Sequence, residues 1–250
     1  MVVRKFFLDC WHIFYIQLLE QRSMLGFILF FSIAFPALMV FGLGRIGGEM
    51  TYEALLYVIS GSAIVTIFVS GISMVTQGVA EMKQNGAFLY YASLPISKAS
   101  LLVGLLASRV LINIPGLALS LVAGSLLYGT PMPVNPLILL VMALTALSLS
   151  GVGAAIGTAA PTQYLASFIT QIAQIIVIFA APVLIPLESL PVPLQITGYL
   201  LPPTNAADAL RRMLAGTQDL RLAIDLAALA AFGVASLAVT SRMLKWRLTA

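Results

Sequence analysis

The stretch ALLYVISGSAIVTIFVSGISMV, residues 54–75, contains no charged side chain. A bilayer core about 30 Å thick needs roughly 20 apolar residues in a helix, so this stretch predicts a membrane-spanning helix. Five other stretches are similarly long and apolar: Met24–Leu43, Leu101–Leu127, Leu137–Gly157, Tyr164–Ile185 and Leu222–Leu244. The sequence therefore predicts an all-α integral membrane protein with six transmembrane helices, forming one membrane domain over residues 1–250.

The composition of the whole chain agrees with that class. Hydrophobic residues make up 60% of the chain and charged residues 9%, and the mean hydropathy is +1.04. The net charge of +4 is too small, and the basic residues are too scattered, to predict nucleic-acid binding. A single cysteine, Cys10, excludes an internal disulfide.

The distribution of lysines predicts the orientation. Basic residues in short loops stay in the cytoplasm. With six spans, Lys5, Lys83, Lys98 and Lys245 all fall on the side of the two termini. We therefore predict a multi-pass protein of the cell (inner) membrane with both termini cytoplasmic.

Residues 1–23 have the period of an amphipathic helix. Phe7, Cys10 and Phe14 share one face, while Lys5 and His12 lie opposite. This pattern predicts a helix lying in the membrane surface, in contact with lipid. A soluble helix packed on a partner would show the same pattern.

Residues 186–218, before the last span, are irregular. The stretch IPLESLPVPLQITGYLLPPT is apolar but rich in proline, so it predicts a re-entrant external segment shielded by protein. The following NAADALRRMLAG predicts a short external amphipathic helix. In that helix Asn205 caps the start, Asp208 favours the first turns and Gly216 closes the end.

The residue inventory excludes several kinds of chemistry. The only histidine is His12, and no GxxxxGK[ST] phosphate-binding loop occurs in the sequence. Clustered metal ligands are missing, and the interiors of the spans are almost free of ionisable residues. The sequence thus predicts a protein that is not an enzyme, binds no cofactor or metal itself and receives its energy from elsewhere.

The spans do contain small and weakly polar residues. Gly153 and Gly157 form a GxxxG pattern, which allows close helix packing within the subunit. Gln171 and Gln174 share a face of the fifth span. They either join helices through hydrogen bonds or line a polar pathway.

Residues 80–98, which we call the coupling hairpin, interrupt two apolar spans on the predicted cytoplasmic side. The segment EMKQNGAFLYYASLP begins with charge, continues through a glycine and aromatic residues, and ends at a proline. This order suits docking to another protein. The tyrosines could equally serve as headgroup anchors. The candidate coupling residues are Glu81, Lys83, Asn85, Gly86, Phe88, Tyr90, Tyr91 and Pro95.

Two motifs carry a resemblance to a known family. Glu81, Gly86 and Phe88, followed by Pro95, Ser97 and Lys98 before a long helix, resemble the cytoplasmic hairpin of type 2 ATP-binding-cassette exporter permeases. The segment LPPTNAADALRRMLAG is similar to the external segment that leads to their last span. The resemblance covers essentially the whole chain.

The resemblance implies a half-transporter. A second permease copy, identical or closely homologous, would complete the pathway, and cytosolic ABC ATPase subunits carrying ATP and Mg would dock on the hairpins. The expected substrate is an amphiphile such as a drug, a lipid or a lipid-linked glycan. The alternatives are a non-transporting membrane sensor or assembly scaffold that docks a cytosolic partner, and a lone channel.

Overall fold

The computed structural model describes residues 2–23, 25–27, 51–128, 135–180, 201–217 and 219–243, together with the single positions 30, 34, 37, 38, 183, 191, 192, 195 and 198. Most of the predicted first span and most of the predicted re-entrant segment lie outside these residues, as do Lys245 and the rest of the C-terminal tail.

All the secondary-structure elements of the described residues are helices. The eight α-helices among these residues are α1 (Val2–Glu20), α2 (Tyr52–Gln84), α3 (Ala87–Ser93), α4 (Lys98–Tyr128), α5 (Leu137–Ala159), α6 (Gln163–Ala180), α7 (Pro202–Leu214) and α8 (Leu220–Met243). A short 3-10 helix, Gln21–Ser23, follows α1.

Three of the described helices, α2, α5 and α8, are long and apolar enough to cross a membrane. They contain or overlap the predicted second, fourth and sixth spans. The predicted third span lies within α4, and the fifth begins in α6. That α4 and α6 cross the membrane stays a prediction.

The helix α2 is longer than its predicted span. It has 33 residues, which at about 1.5 Å per residue gives a length of roughly 50 Å. The sequence has no proline between Val75 and Asn85, and the single Gly78 does not interrupt the helix, which continues to Gln84. The first residues of the coupling hairpin are therefore the last turn of α2.

The core is a group of three parallel helices, α2, α5 and α8. Gly153 of α5 faces Ile72 of α2 so closely that an added Cβ would lie 2.8 Å from the Ile72 carbonyl oxygen. The Thr76 hydroxyl donates to the Gly153 carbonyl at 2.9 Å, and the Thr240 hydroxyl of α8 donates to the Gly151 carbonyl at 3.2 Å. The GxxxG pattern thus packs helices within one chain, which confirms the packing role predicted for its glycines.

The two ends of the molecule differ in their elements. Ile13 of α1, Tyr91 of α3 and Leu101 of α4 form one buried cluster, so α1 lies beside the coupling hairpin. Since α8 is parallel to α5 and α2, its last residues lie at the same end, which we call the hairpin end. At the opposite end, α7 packs against α2, α5 and α8.

Only part of the apolar face that the sequence predicts for α1 packs against the rest of the protein. Cys10 and Ile13 contact Gly104 of α4, where an added Cβ would lie 2.8 Å from the Cys10 carbonyl oxygen. Phe7 and Trp11, by contrast, are exposed. One face of α1 therefore packs on the protein, and a second, aromatic face remains open at the surface.

The structure corrects the predicted start of α7. The helix begins at Pro202 rather than after Asn205, and Leu201 occupies the N-cap position. Prolines fit the first turn of a helix because its N–H groups have no intrahelical acceptor, so Pro202 and Pro203 extend α7 toward the N-terminus. Asn205 is consequently buried inside the helix, where its amide donates to the Leu201 carbonyl at 3.4 Å.

The end of α7 agrees with the prediction. Gly216 has φ 74°, and its N–H donates to the Met213 carbonyl at 3.2 Å. A left-handed glycine at this place satisfies the last carbonyls of a helix, so Gly216 closes α7 as expected. Leu210, Met213 and Leu214, which form the apolar side of this amphipathic helix, are buried against the core.

Candidate functional site

The coupling hairpin is an ordered helix–turn–helix. The Asn85 N–H donates to the Glu81 carbonyl at 2.9 Å and ends α2, and Gly86 makes the turn with φ 70°. The short helix α3 follows and ends at Ser93, with Leu94 as the C-cap residue just before Pro95. Ser97 and Ser100 then exchange hydrogen bonds between side chain and backbone at the start of α4, at 3.1 and 3.0 Å. These contacts fix the position of α3 relative to both long helices.

The two tyrosines of α3 point in opposite directions. Tyr90 is 64% exposed, whereas Tyr91 is 7% exposed and packs with Ile13 and Leu101. Burial raises the pKa of Tyr91, and the nearby Glu20 raises it further, so the phenol stays neutral. The side chain of Phe88 lies outside the described part of the structure. Of the two predicted aromatic anchors whose side chains are described, Tyr90 is therefore exposed and Tyr91 is buried.

A cleft of about 440 Å³ opens beside the hairpin, between α1, α2 and α3. Gln17, Glu20, Gln77, Glu81 and Asn85 contribute its polar groups. The Gln17 amide donates to Glu20 at 2.8 Å, and the Asn85 amide contacts Glu81 at 3.5 Å. With two carboxylates and three amides, the cleft can accept a cationic group that donates several hydrogen bonds. The predicted coupling residues Glu81 and Asn85 are thus brought together with Glu20 of α1, which the sequence did not single out.

Lys83 is directed into the protein. Its ammonium donates to the Thr158 carbonyl at 3.2 Å and to the Ala160 carbonyl at 2.8 Å. These are carbonyls at the C-terminal end of α5, which lack intrahelical donors and are often satisfied by a lysine. The sequence predicted Lys83 as a charged contact for a partner. In the structure its ammonium joins α2 to the turn between α5 and α6.

The two glutamines of α6 have different surroundings. The Gln174 amide donates to the Ser73 hydroxyl at 2.6 Å and to the Val69 carbonyl at 3.4 Å, both on α2. Gln171 is exposed, on a face that also exposes Phe168 and Ile175. Gln174 thus joins two helices, which is one of the two alternatives left open by the sequence, while a pathway-lining role for Gln171 stays a prediction.

The end of the molecule opposite the hairpin carries a charged cluster on α7. Arg211 lies over the ring of Tyr57 at 3.5 Å from its centroid and donates to the Val183 carbonyl at 3.2 Å. Burial lowers the pKa of Arg211, which Tyr57 and Asp208 partly offset. Asp208 is 3.6 Å from Arg211 and 3.2 Å from Arg212. The predicted residue Asp208 thus pairs with arginines one turn later in α7.

Arg212 extends the same cluster to α8. Its guanidinium pairs with Asp219 before α8 and lies 4.0 Å from the buried Asp225. The sequence analysis missed this cluster, although the spacing of Asp208 from two arginines at i+3 and i+4 was a usable signal. The cluster ties α7 to both α2 and α8.

Metal chemistry has no support in the described residues, where no group of three or more His, Cys, Asp or Glu side chains could hold an ion.

A family model described as "ABC-2 family transporter protein" matches residues 45–242 of the chain. The search of curated proteins found no match to the chain. The matched range includes α2 to α7 and all of α8 except its last residue.

Proposed function

Because the chain belongs to the ABC-2 family of transporter membrane proteins, a family without catalytic activity of its own, we propose that it is the membrane half of an ATP-driven exporter. A separate cytosolic ABC ATPase binds ATP and Mg and docks at the hairpin end. A second permease copy, identical or closely homologous, completes the pathway. The exported substrate is an amphiphile such as a drug, a lipid or a lipid-linked glycan.

The ordered coupling hairpin is the observation that carries this proposal. Its short helix α3 is held by α1 and α4 through Tyr91, while Tyr90, Glu81 and Asn85 remain exposed beside the acidic cleft. A rigid element with an exposed aromatic ring and a pocket for a cation suits a stable protein contact. A headgroup anchor would need the aromatic side chains but not the pocket.

The relative directions of the helices support six spans with the hairpin end in the cytoplasm. The helices α2, α5 and α8 run parallel, and α6 runs antiparallel to α2 because Ala166 lies near Ala80 while Gln174 lies near Ser73. This alternation is expected when α2, α5 and α8 are even-numbered spans and α4 and α6 return between them. Lys83 and Arg242, at the hairpin ends of α2 and α8, favour the cytoplasm for that side.

The exposed face of α6 supports the position of the pathway. Phe168, Ile172 and Ile175 make it apolar, and Gln171 adds one amide. An amide facing lipid is costly without a partner. At a junction between two permease copies, Gln171 would instead meet the second copy or the polar part of an amphiphile.

Co-purification with an ABC ATPase tests the proposed function. The tagged permease is co-expressed in turn with the ABC ATPases of its own genome, and both binding and stimulation of ATP hydrolysis are measured in nanodiscs. We expect an ATPase that stays bound through purification and hydrolyses ATP faster with the permease than alone. Binding without any change in hydrolysis would favour a sensor or scaffold. Ion conductance of the permease alone would favour a channel.

A further inference from the structure

The helix α2 makes polar contacts at two positions along its length, one with the turn between α5 and α6 and one with α6 itself. At the hairpin end, the Lys83 ammonium bridges the carbonyls of Thr158 and Ala160. Ten residues earlier in α2, or about 15 Å along its axis, the Ser73 hydroxyl accepts from Gln174 of α6 at 2.6 Å. Between the two positions, Ala80, Ala160 and Ala166 form a small buried cluster.

These contacts differ in kind from the apolar packing around them. Hydrophobic contact is non-directional, and small alanine side chains interdigitate little, so contacts between alanines define the axial position of two helices only weakly. A hydrogen bond depends on distance and angle, and the bond from an ammonium is charge-assisted. Lys83 and Gln174 therefore fix the position of α6 along α2, which the alanine contacts alone would not do.

Lys83 itself belongs to the coupling hairpin, in its first part, which is the last turn of α2. Only Gln84 separates it from the Asn85–Gly86 turn, and α2 is one continuous helix from Tyr52 to Gln84. A displacement of the hairpin therefore moves the Lys83 ammonium directly. The acceptor at Ala160 belongs to the three-residue connection between α5 and α6, so the same displacement acts on the start of α6.

We propose that Lys83 and Gln174 are positioning residues that transmit movement of the coupling hairpin to α6, and so to the apolar face that carries Gln171. This inference rests on the proposed function, because an ATPase must first move the hairpin. It assigns the two residues a role separate from docking: Tyr90 and Glu81 hold the ATPase, whereas Lys83 passes its movement on.

The experiment follows the movement of α6 itself, so no substrate is needed. A bimane fluorophore is attached to Tyr164→Cys in a Cys10→Ser background, because Tyr164 lies at the start of α6 and is 90% exposed. The permease with its ATPase is placed in nanodiscs, and the emission change on adding ATP and vanadate is measured. Retention of the ATPase and the rate of ATP hydrolysis are recorded on the same samples.

We expect Lys83→Met to retain the ATPase, but its ATP-dependent emission change should be at least five-fold smaller than that of the unmodified permease. Lys83→Arg should keep most of the emission change. Ser73→Ala removes the second contact while keeping a small, helix-compatible residue, and should reduce the change more mildly. Arg242→Met removes a cation at the same end of α8 and should leave the emission change intact.

Three results would contradict the inference. A full emission change in Lys83→Met would show that α6 follows the hairpin without this contact. Loss of the folded protein in both Lys83→Met and Ser73→Ala would show that the contacts only stabilise the fold. Failure of the unmodified permease to retain any ATPase would contradict the proposed function itself, and the inference with it.

Discussion

Single glycines set the distance between α2 and α5. A Cβ added at Gly157 would lie 2.6 Å from the Thr76 carbonyl oxygen, which is a backbone atom and cannot move by itself. A Cβ added at Gly71, on the other side of the same pair of helices, would meet the Ser150 hydroxyl at 3.5 Å, an ordinary contact. The two glycines of this interface therefore differ in whether the backbone around them leaves room for an alanine side chain.

This difference predicts opposite results for two alanine substitutions. Gly157→Ala should lower the free energy of unfolding by about 1 to 3 kcal/mol, because the added methyl group forces α2 and α5 apart. Gly71→Ala should be neutral or slightly stabilising, since alanine is the better helix former. Thermal unfolding of the purified protein in detergent measures both. Equal stabilities would show that the interface is looser than the structure indicates.

The neighbouring tyrosines of α3 give a second prediction at this scale. Tyr91→Ala should lower the free energy of unfolding by about 3 kcal/mol, because it empties the cluster with Ile13 and Leu101. Tyr91→Phe keeps the ring and should retain most of the stability. Tyr90→Ala should leave unfolding unchanged but weaken retention of the ATPase, as expected for an exposed anchor. A stable Tyr91→Ala protein that loses only the ATPase would contradict this division of roles.

Among the helices, α7 shows how a short element is held by its own side chains. Its polar residues would disfavour burial in a membrane protein, yet ten of its thirteen residues are buried. Arg211 reaches α2 through Tyr57, and Arg212 reaches α8 through Asp219 and Asp225. The helix is thus fixed at both sides by arginines from its last turn.

Substitutions in α7 should separate buried from exposed interactions. Arg211→Met removes the contact with the Tyr57 ring and leaves the Val183 carbonyl without this donor, so we expect a cost of about 1 to 3 kcal/mol. Asp208→Asn weakens partly exposed ion pairs and should cost less than about 1 kcal/mol. Hydrogen exchange of the α7 amides reads out both, and faster exchange in Asp208→Asn than in Arg211→Met would contradict the ranking.

The sequence predicted the helices better than the contacts between them. Uncharged runs such as Ala54–Val75 indicate a span by length and composition alone, and the turn at Gly86 follows from the glycine itself. By contrast, the acceptors of Lys83 are 75 and 77 residues away in the chain, and no local pattern identifies them. Helical period also could not decide between Tyr90 and Tyr91, because α3 has only seven residues and depends on α1 and α4 for its orientation.

For the whole molecule, the two ends should lie on opposite sides of the membrane. Asn85 is exposed in the hairpin turn, and Thr217 is exposed after α7. In a Cys10→Ser background, Thr217→Cys should react with a membrane-impermeant maleimide on intact cells, and Asn85→Cys only after the membrane is opened. Labelling of both positions from the same side would contradict the six-span arrangement and the direction of the proposed export.

The parallel direction of α2, α5 and α8 also has an electrostatic consequence. Each α-helix carries a macrodipole equivalent to about half a negative charge at its C-terminus. Three parallel helices place these partial charges together at the hairpin end, where Lys83 and Arg242 occupy the last turns of α2 and α8, while Glu53 lies in the first turn of α2 at the other end. The positive charges from which the cytoplasmic side is predicted are thus the ones placed to neutralise the aligned helix termini. Loss of both cations together, rather than of either one alone, should therefore affect topology and folding stability at the same time.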